Sequence, residues 1–171
     1  MSNTYFFDES SANCGMTRLY GRAPSNERVN DYVPDVRFER TSMMGALSLG
    51  GMVEPLTFDG TLNGEFFEEY VKQVLAPALK KGDNFVLDNS SVHTKVGVLD
   101  ALIEKGVNII FLPKYSPDFN PIEMAWSKIK AYLRKVKART KDSLNDAIAV
   151  ALNTITEDDI NGWMKHCGYG L

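Results

Sequence analysis

Three acids stand where apolar segments stop. Asp8 follows Tyr5-Phe6-Phe7, Asp88 follows Phe85-Val86-Leu87, and Glu123 comes two residues after Pro121. In an open α/β sheet ligands gather at strand ends. If the first two strands are neighbours, Asp8 and Asp88 meet in one cleft. Two close carboxylates repel, and one must take up a proton unless a cation lies between them. Mg²⁺ suits such a place, since it takes oxygen ligands, often one or two carboxylates with substrate phosphate oxygens. Glu123, in the first turn of the helix after the next strand, would supply a third oxygen ligand. Each acid also has an ordinary role open to it. Asp8 and Asp88 fit turns that end strands. Glu123 fits a capping box with Asn120 as N-cap and Pro121 as the first helical residue. Asn89 and His93, one and five residues past Asp88, are secondary candidates, and His93 fits a hydrogen-bonded structural role equally well.

The surrounding pattern supplies the elements that must hold these groups. Strands are expected at Tyr5 to Ser10, Met16 to Arg22, Thr41 to Leu49, Met52 to Phe58, Phe85 to Asp88 and Val107 to Leu112. Helices are expected from Asn63 to Lys80, bent by Pro77, and from Val96 to Lys105, stopped by Gly106. A further helix follows Asn120, with an apolar stripe of Ile122, Trp126, Ile129, Leu133 and Val136. Two short helices over Leu144 to Leu152 and Ile160 to Met164 close the chain. This order argues for a mixed α/β sheet covered by helices. Trp126 reads as core, and Asp118, before the helix, is not expected to be a ligand.

Charge is unevenly spread. Between Lys128 and Lys141 lie seven cations and no acid (Lys128, Lys130, Arg134, Lys135, Lys137, Arg139, Lys141), leaving 12 cations against 22 acids elsewhere. Such clustering on a chain of net charge −3 suits either a polyanion-facing surface or a solvated helix face. Lys95 and Lys114 are further candidates for phosphate contact. Cys14 and Cys167 show neither zinc nor disulfide-framework spacing. No apolar run reaches the ~18 residues of a membrane helix and no signal peptide is evident, so a cytoplasmic location is expected. Ser10 stands where an aspartyl phosphatase would need a second aspartate, which argues against that class.

The blocks YFFDES, VLDNSSVHT and FLPKYSPDFNPIEMAWSKIKAYLR resemble the catalytic blocks of mariner-type DDE transposases, most nearly the bacterial insertion sequence 630 branch. The third block is the most specific of the three. Lys114 stands where that family often has proline. The resemblance implies one ribonuclease-H-like catalytic domain over residues 1–171 with extra C-terminal helices. It also implies a triad of Asp8, Asp88 and Glu123 that holds two divalent ions, Mg²⁺ or Mn²⁺. The expected reaction is cleavage of double-stranded DNA at element ends and strand transfer into target DNA at a TA dinucleotide, by a homodimer in the DNA complex. Lys95, Lys114, Lys128, Lys130, Arg134, Lys135 and Lys137 are then the expected DNA-binding residues. No membrane and no small-molecule substrate are expected. Helix-turn-helix segments lie upstream of the catalytic domain in this family; none precedes the first strand here, so recognition of element ends is expected to reside elsewhere. The alternative expectation is an accessory DNA-binding or assembly fragment without activity of its own.

Overall fold

The computed structural model describes residues 3–35, 38 and 40–170. Five strands form one mixed sheet: β1 (Thr4–Ala12), β2 (Thr41–Ser48), β3 (Gly51–Asp59), β4 (Asn84–Leu87) and β5 (Asn108–Phe111). Their spatial order is β3-β2-β1-β4-β5. β1 pairs antiparallel with β2 and parallel with β4. β2 and β3 form an antiparallel hairpin, and β4 and β5 run parallel. β1 is the middle strand, and both of its faces are covered, so Phe6 and Phe7 are each fully buried although they point to opposite sides.

The two faces pack against different helices. On one lie Phe6 and Val86 with α4 (Ile122–Val136), α5 (Lys141–Leu152) and α6 (Glu157–His166). On the other lie Phe7, Phe85 and Leu87 with α1 (Gly64–Tyr70) and α3 (Val96–Glu104). α1 runs through a π-helical turn (Val71–Leu75) into the short α2 (Ala76–Ala78). That turn is where the chain absorbs Pro77, which has no N–H to continue the ladder. Every residue of β2 is buried, whereas β3 is a partly exposed edge strand with a register shift opposite Met44 and Ala46.

Three expectations change. Met16 to Arg22 is not a strand. β1 turns away at Asn13, whose side chain accepts a hydrogen bond from the Gly15 amide (2.9 Å). Among the described residues the segment beyond pairs with no strand, and Leu19 and Tyr20 are exposed. Next, the α4 stripe ends at Leu133: Val136 is exposed, because the helix stops at Lys137, which takes a left-handed φ of 56°. Finally, α5 and α6 begin three residues earlier than their apolar residues suggest, each at a capping box, Thr140 with Ser143 and Thr156 with Asp159.

Candidate active site

The sheet register sets the first two acids side by side. β1 and β4 are parallel, and their last paired residues are Phe6 and Val86. Two residues further on stand Asp8, within β1, and Asp88, the first residue past β4, so they lie on adjacent chains, which run ~4.8 Å apart in a sheet. With a period of two, they also share the face of Phe6 and Val86, the face covered by α4. Glu123 enters from above, in the first turn of that helix. Its mount is rigid: Ile122, Ala125, Trp126, Ile129 and Leu133 are all buried against the sheet. Asp8, Asp88 and Glu123 line one cavity of about 390 Å³.

Local ties hold the rim. The Asn89 side-chain amide donates to the Leu112 carbonyl (2.5 Å), joining the end of β4 to the loop after β5. The Asn120 side-chain amide donates to the Phe7 carbonyl (3.4 Å), one residue before Asp8. Asn120 therefore does not cap α4. The helix has no side-chain cap at all, and Pro121 occupies the flanking position with helical dihedrals. No capping box forms with Glu123: the Asn120 side chain reaches across to β1 instead, and its Oδ1, also buried, has no partner among the described residues.

Glu9, which the sequence did not single out, belongs to the same network. His93 is buried, with Nδ1 2.5 Å from Asp88 Oδ1 and Nε2 3.1 Å from Glu9 Oε2. Its ring meets Phe7 edge-on and lies against Phe67. The contact with Glu9 spans 84 positions, so no local spacing announces it. Tyr115, on the cavity rim, is fully exposed and takes a left-handed φ of 58°, which a non-glycine residue adopts only at a cost. Lys114 lines the same cavity, and Asp118 is not among its lining residues.

The electrostatics follow from this geometry. Burial, reinforced by the charges of Glu123, Glu9 and Asp88, pushes the Asp8 carboxyl up to about 8. Asp88 moves the other way: its hydrogen bond from His93 lowers its pKa against burial, helped by the Ser90 amide at 2.9 Å. Burial pulls His93 down, but Asp88 and Glu9 outweigh it and raise the imidazole to about 9. Asp8 thus sits among negative charge that a cation would relieve. Among the described residues, no three His, Cys, Asp or Glu side chains converge closely enough to hold a metal as they stand. Asp88 is held to His93. The donor set, three carboxylates on separate elements around one cavity, is nevertheless the oxygen-rich kind that suits a hard divalent ion.

The cations separate into groups. Lys128 binds the Thr154 carbonyl (2.8 Å) and Asp159, tying α4 to α6. Lys137 pairs with Asp31 (2.5 Å), and Arg139 donates to the Cys14 and Met16 carbonyls (2.7 and 3.1 Å). Lys95 lies against Gly64 at the start of α1, on the sheet face away from α4. Lys130 and Arg134 are different. With Arg40 they line an open groove of about 670 Å³ between α4 and the chain after β1, and none of the three is in a salt bridge with a described residue. Lys135 is exposed on the same helix.

Comparison with known proteins gives this arrangement its setting. Residues 3–145 match the family model described as DDE superfamily endonuclease. The Tcb2 transposase of a Caenorhabditis briggsae transposable element is 26% identical over 127 residues, 69% of this chain and 46% of that protein. The chain spans less than half the length of the curated relatives it matches. Among solved structures, a Mos1 transposase paired-end complex with the left transposon end superposes with a TM-score of 0.77 at 15% identity, over 98% of this chain and 55% of that one. A Mos1 mariner paired-end complex with Mn gives 0.74 at 16% identity, over 97% and 54%. The mixed five-stranded sheet flanked by helices is therefore the ribonuclease-H-like fold, and the chain belongs to the DDE superfamily endonuclease family.

Proposed function

We propose that this chain is the catalytic domain of a mariner-type transposase of the insertion sequence 630 branch. On this reading it cuts phosphodiester bonds of double-stranded DNA at element ends and joins those ends to target DNA. It works as a homodimer on DNA in the bacterial nucleoid, and helix-turn-helix segments elsewhere recognise the ends. One observation carries the reading: Asp8, Asp88 and Glu123 come from three separate elements to one cavity, where burial and neighbouring charge drive Asp8 up to about 8.

Asp8, Asp88 and Glu123 would hold Mg²⁺ or Mn²⁺, two ions with DNA bound. The metal supplies Lewis-acid stabilisation of phosphoryl charge and a more acidic bound hydroxyl. Asp8 releases its proton as positive charge arrives. His93 and Glu9 keep Asp88 in one orientation, and Asn120 keeps the start of α4 against β1. Lys114 and Tyr115 at the rim offer a phosphate contact and an aromatic face for an unpaired base. Lys130, Arg134 and Lys135, joined by Arg40, take backbone phosphates further along α4. Lys95, Lys128 and Lys137 lie against or within the fold and contribute less.

A nicking assay on supercoiled plasmid tests the reading. Wild-type chain with Mn²⁺ is expected to produce open-circle DNA, and Asp88→Asn to lose that activity while binding DNA as before. The spread of the acids favours one other reading, an accessory fragment that binds DNA but needs a further subunit to cut. Nicking by the isolated wild-type chain rejects that second reading. Equal nicking by Asp88→Asn rejects the first.

A further inference from the structure

The loop between β5 and α4, residues 113–119, forms the rim of the acidic cavity, with Lys114, Tyr115, Ser116 and both prolines in its wall. Its own hydrogen bonds are local. The Ser116 hydroxyl donates to the Lys114 carbonyl (3.3 Å), the Phe119 amide to the Ser116 carbonyl (3.2 Å) and the Asn120 amide to the Pro117 carbonyl (2.8 Å). Among the described residues, one hydrogen bond joins this loop to a remote element. The Tyr169 hydroxyl donates to the Phe119 carbonyl at 2.7 Å, across 50 positions. Tyr115 meanwhile stands at φ 58°, a conformation that persists only where the surroundings hold it.

Tyr169 is itself fixed from two sides. α6 ends in a Schellman turn, in which Gly168 takes φ 84° and its amide donates to the Lys165 carbonyl (3.1 Å). The Tyr169 amide closes that turn on the Met164 carbonyl (2.9 Å). The Tyr169 ring then packs on Phe6, centroid to centroid 4.8 Å, two residues before Asp8. The other end of the loop is held where the Leu112 amide donates to the Leu87 carbonyl (2.8 Å). Glu123 needs no such anchor, since the buried stripe of α4 fixes it. The rim does need one. We propose that Tyr169 is a positioning residue for the DNA substrate: its hydroxyl holds the 113–119 loop in the arrangement that presents Lys114 and Tyr115 to the strand. This rests on the cleavage reading above.

Plasmid nicking in Mn²⁺ tests the proposal with Tyr169→Phe, which keeps the ring on Phe6 and deletes the hydroxyl. The expected result is a KM for plasmid raised about fivefold, the factor set by one ordinary hydrogen bond. The kcat, the Mn²⁺ half-saturation and the melting temperature should stay near wild type, since only substrate binding is lost. The double variant Lys114→Ala/Tyr115→Ala should raise KM by itself. Adding Tyr169→Phe to it should raise KM no further, because the hydroxyl acts only through those two side chains. An unchanged KM in Tyr169→Phe would overturn the proposal. So would a loss carried by kcat, Mn²⁺ affinity or melting temperature at unchanged KM, or a full effect that persists in the double variant. Asp88→Asn separates this from the cleavage reading. If it nicks like wild type, the site and this proposal fall together. If it is inactive while Tyr169→Phe keeps the wild-type KM, this proposal alone fails.

Discussion

At the residue scale, the pKa shifts have a consequence for the metal-free chain. Asp8, at about 8, and His93, at about 9, both hold their proton more tightly when folded than when unfolded. Each therefore favours folding at low pH and loses that contribution as pH rises. For Asp8 the window runs from about 4 to about 8, and for His93 from about 6.5 to about 9. The metal-free melting temperature should fall between pH 6.5 and 9, and Mn²⁺ should remove much of the fall by replacing the proton on Asp8. A flat or rising profile in thermal melts without metal contradicts the assignment. His93→Ala should cost roughly 1–3 kcal/mol, the size expected when buried polar partners are left unpaired, and should reduce cleavage through Asp88 more than it weakens DNA binding. Asp8 and Asp88 were legible because each ends a short apolar run. The Glu9 and Asn120 contacts were not, because both are made across the fold, 84 and 113 positions away in sequence.

At the element scale, α4 performs two tasks, and the structure separates them along its length. Its buried stripe fixes the helix, so Leu133→Ala should destabilise by about 2–5 kcal/mol in chemical denaturation. Its cations divide between the fold and the groove. Lys128→Ala should lower stability by breaking the tie to Asp159, with little effect on DNA. Replacing Lys130 and Arg134 together should leave stability near wild type. It should also reduce the salt dependence of DNA affinity by about two units of slope, near 0.9 for each phosphate no longer neutralised. If Lys128→Ala changes that slope and the double variant does not, the division is wrong. The sequence marked α4 clearly by its 4, 3, 4, 3 apolar spacing. It could not say which of seven cations would find an acid or a carbonyl, since Asp31, Asp159 and Cys14 meet α4 and its C-terminal flank only through tertiary packing. The false strand at Met16 to Arg22 has the same origin: its residues favour a strand, but the sheet offers it no partner.

At the scale of the whole molecule, the two sheet faces divide the labour. One face, with α1 and α3, packs Phe7 and Phe67 around His93, which braces Asp88 from behind. The other, with α4, presents Glu123 to the middle of β1 and the end of β4, where Asp8 and Asp88 stand. The mixed α/β architecture was readable from the order of elements; the apolar run before Asp8 suggested a strand stopping there, but β1 continues to Ala12 because β2 pairs with it as far as Thr41. The β3-β2-β1-β4-β5 order needed the register, because it is β1 in the centre that makes Asp8 and Asp88 neighbours. On the proposed function, Glu123 acts as a charged ligand and not as a helix cap. Glu123→Gln keeps the shape and hydrogen-bonding capacity of the side chain and removes its charge, so cleavage of plasmid DNA in Mg²⁺ or Mn²⁺ is the measurement. The expected result is a loss of roughly a thousandfold in rate, equivalent to about 4 kcal/mol, with a melting temperature close to wild type. Glu123→Gln chain that cleaves at the wild-type rate would contradict it.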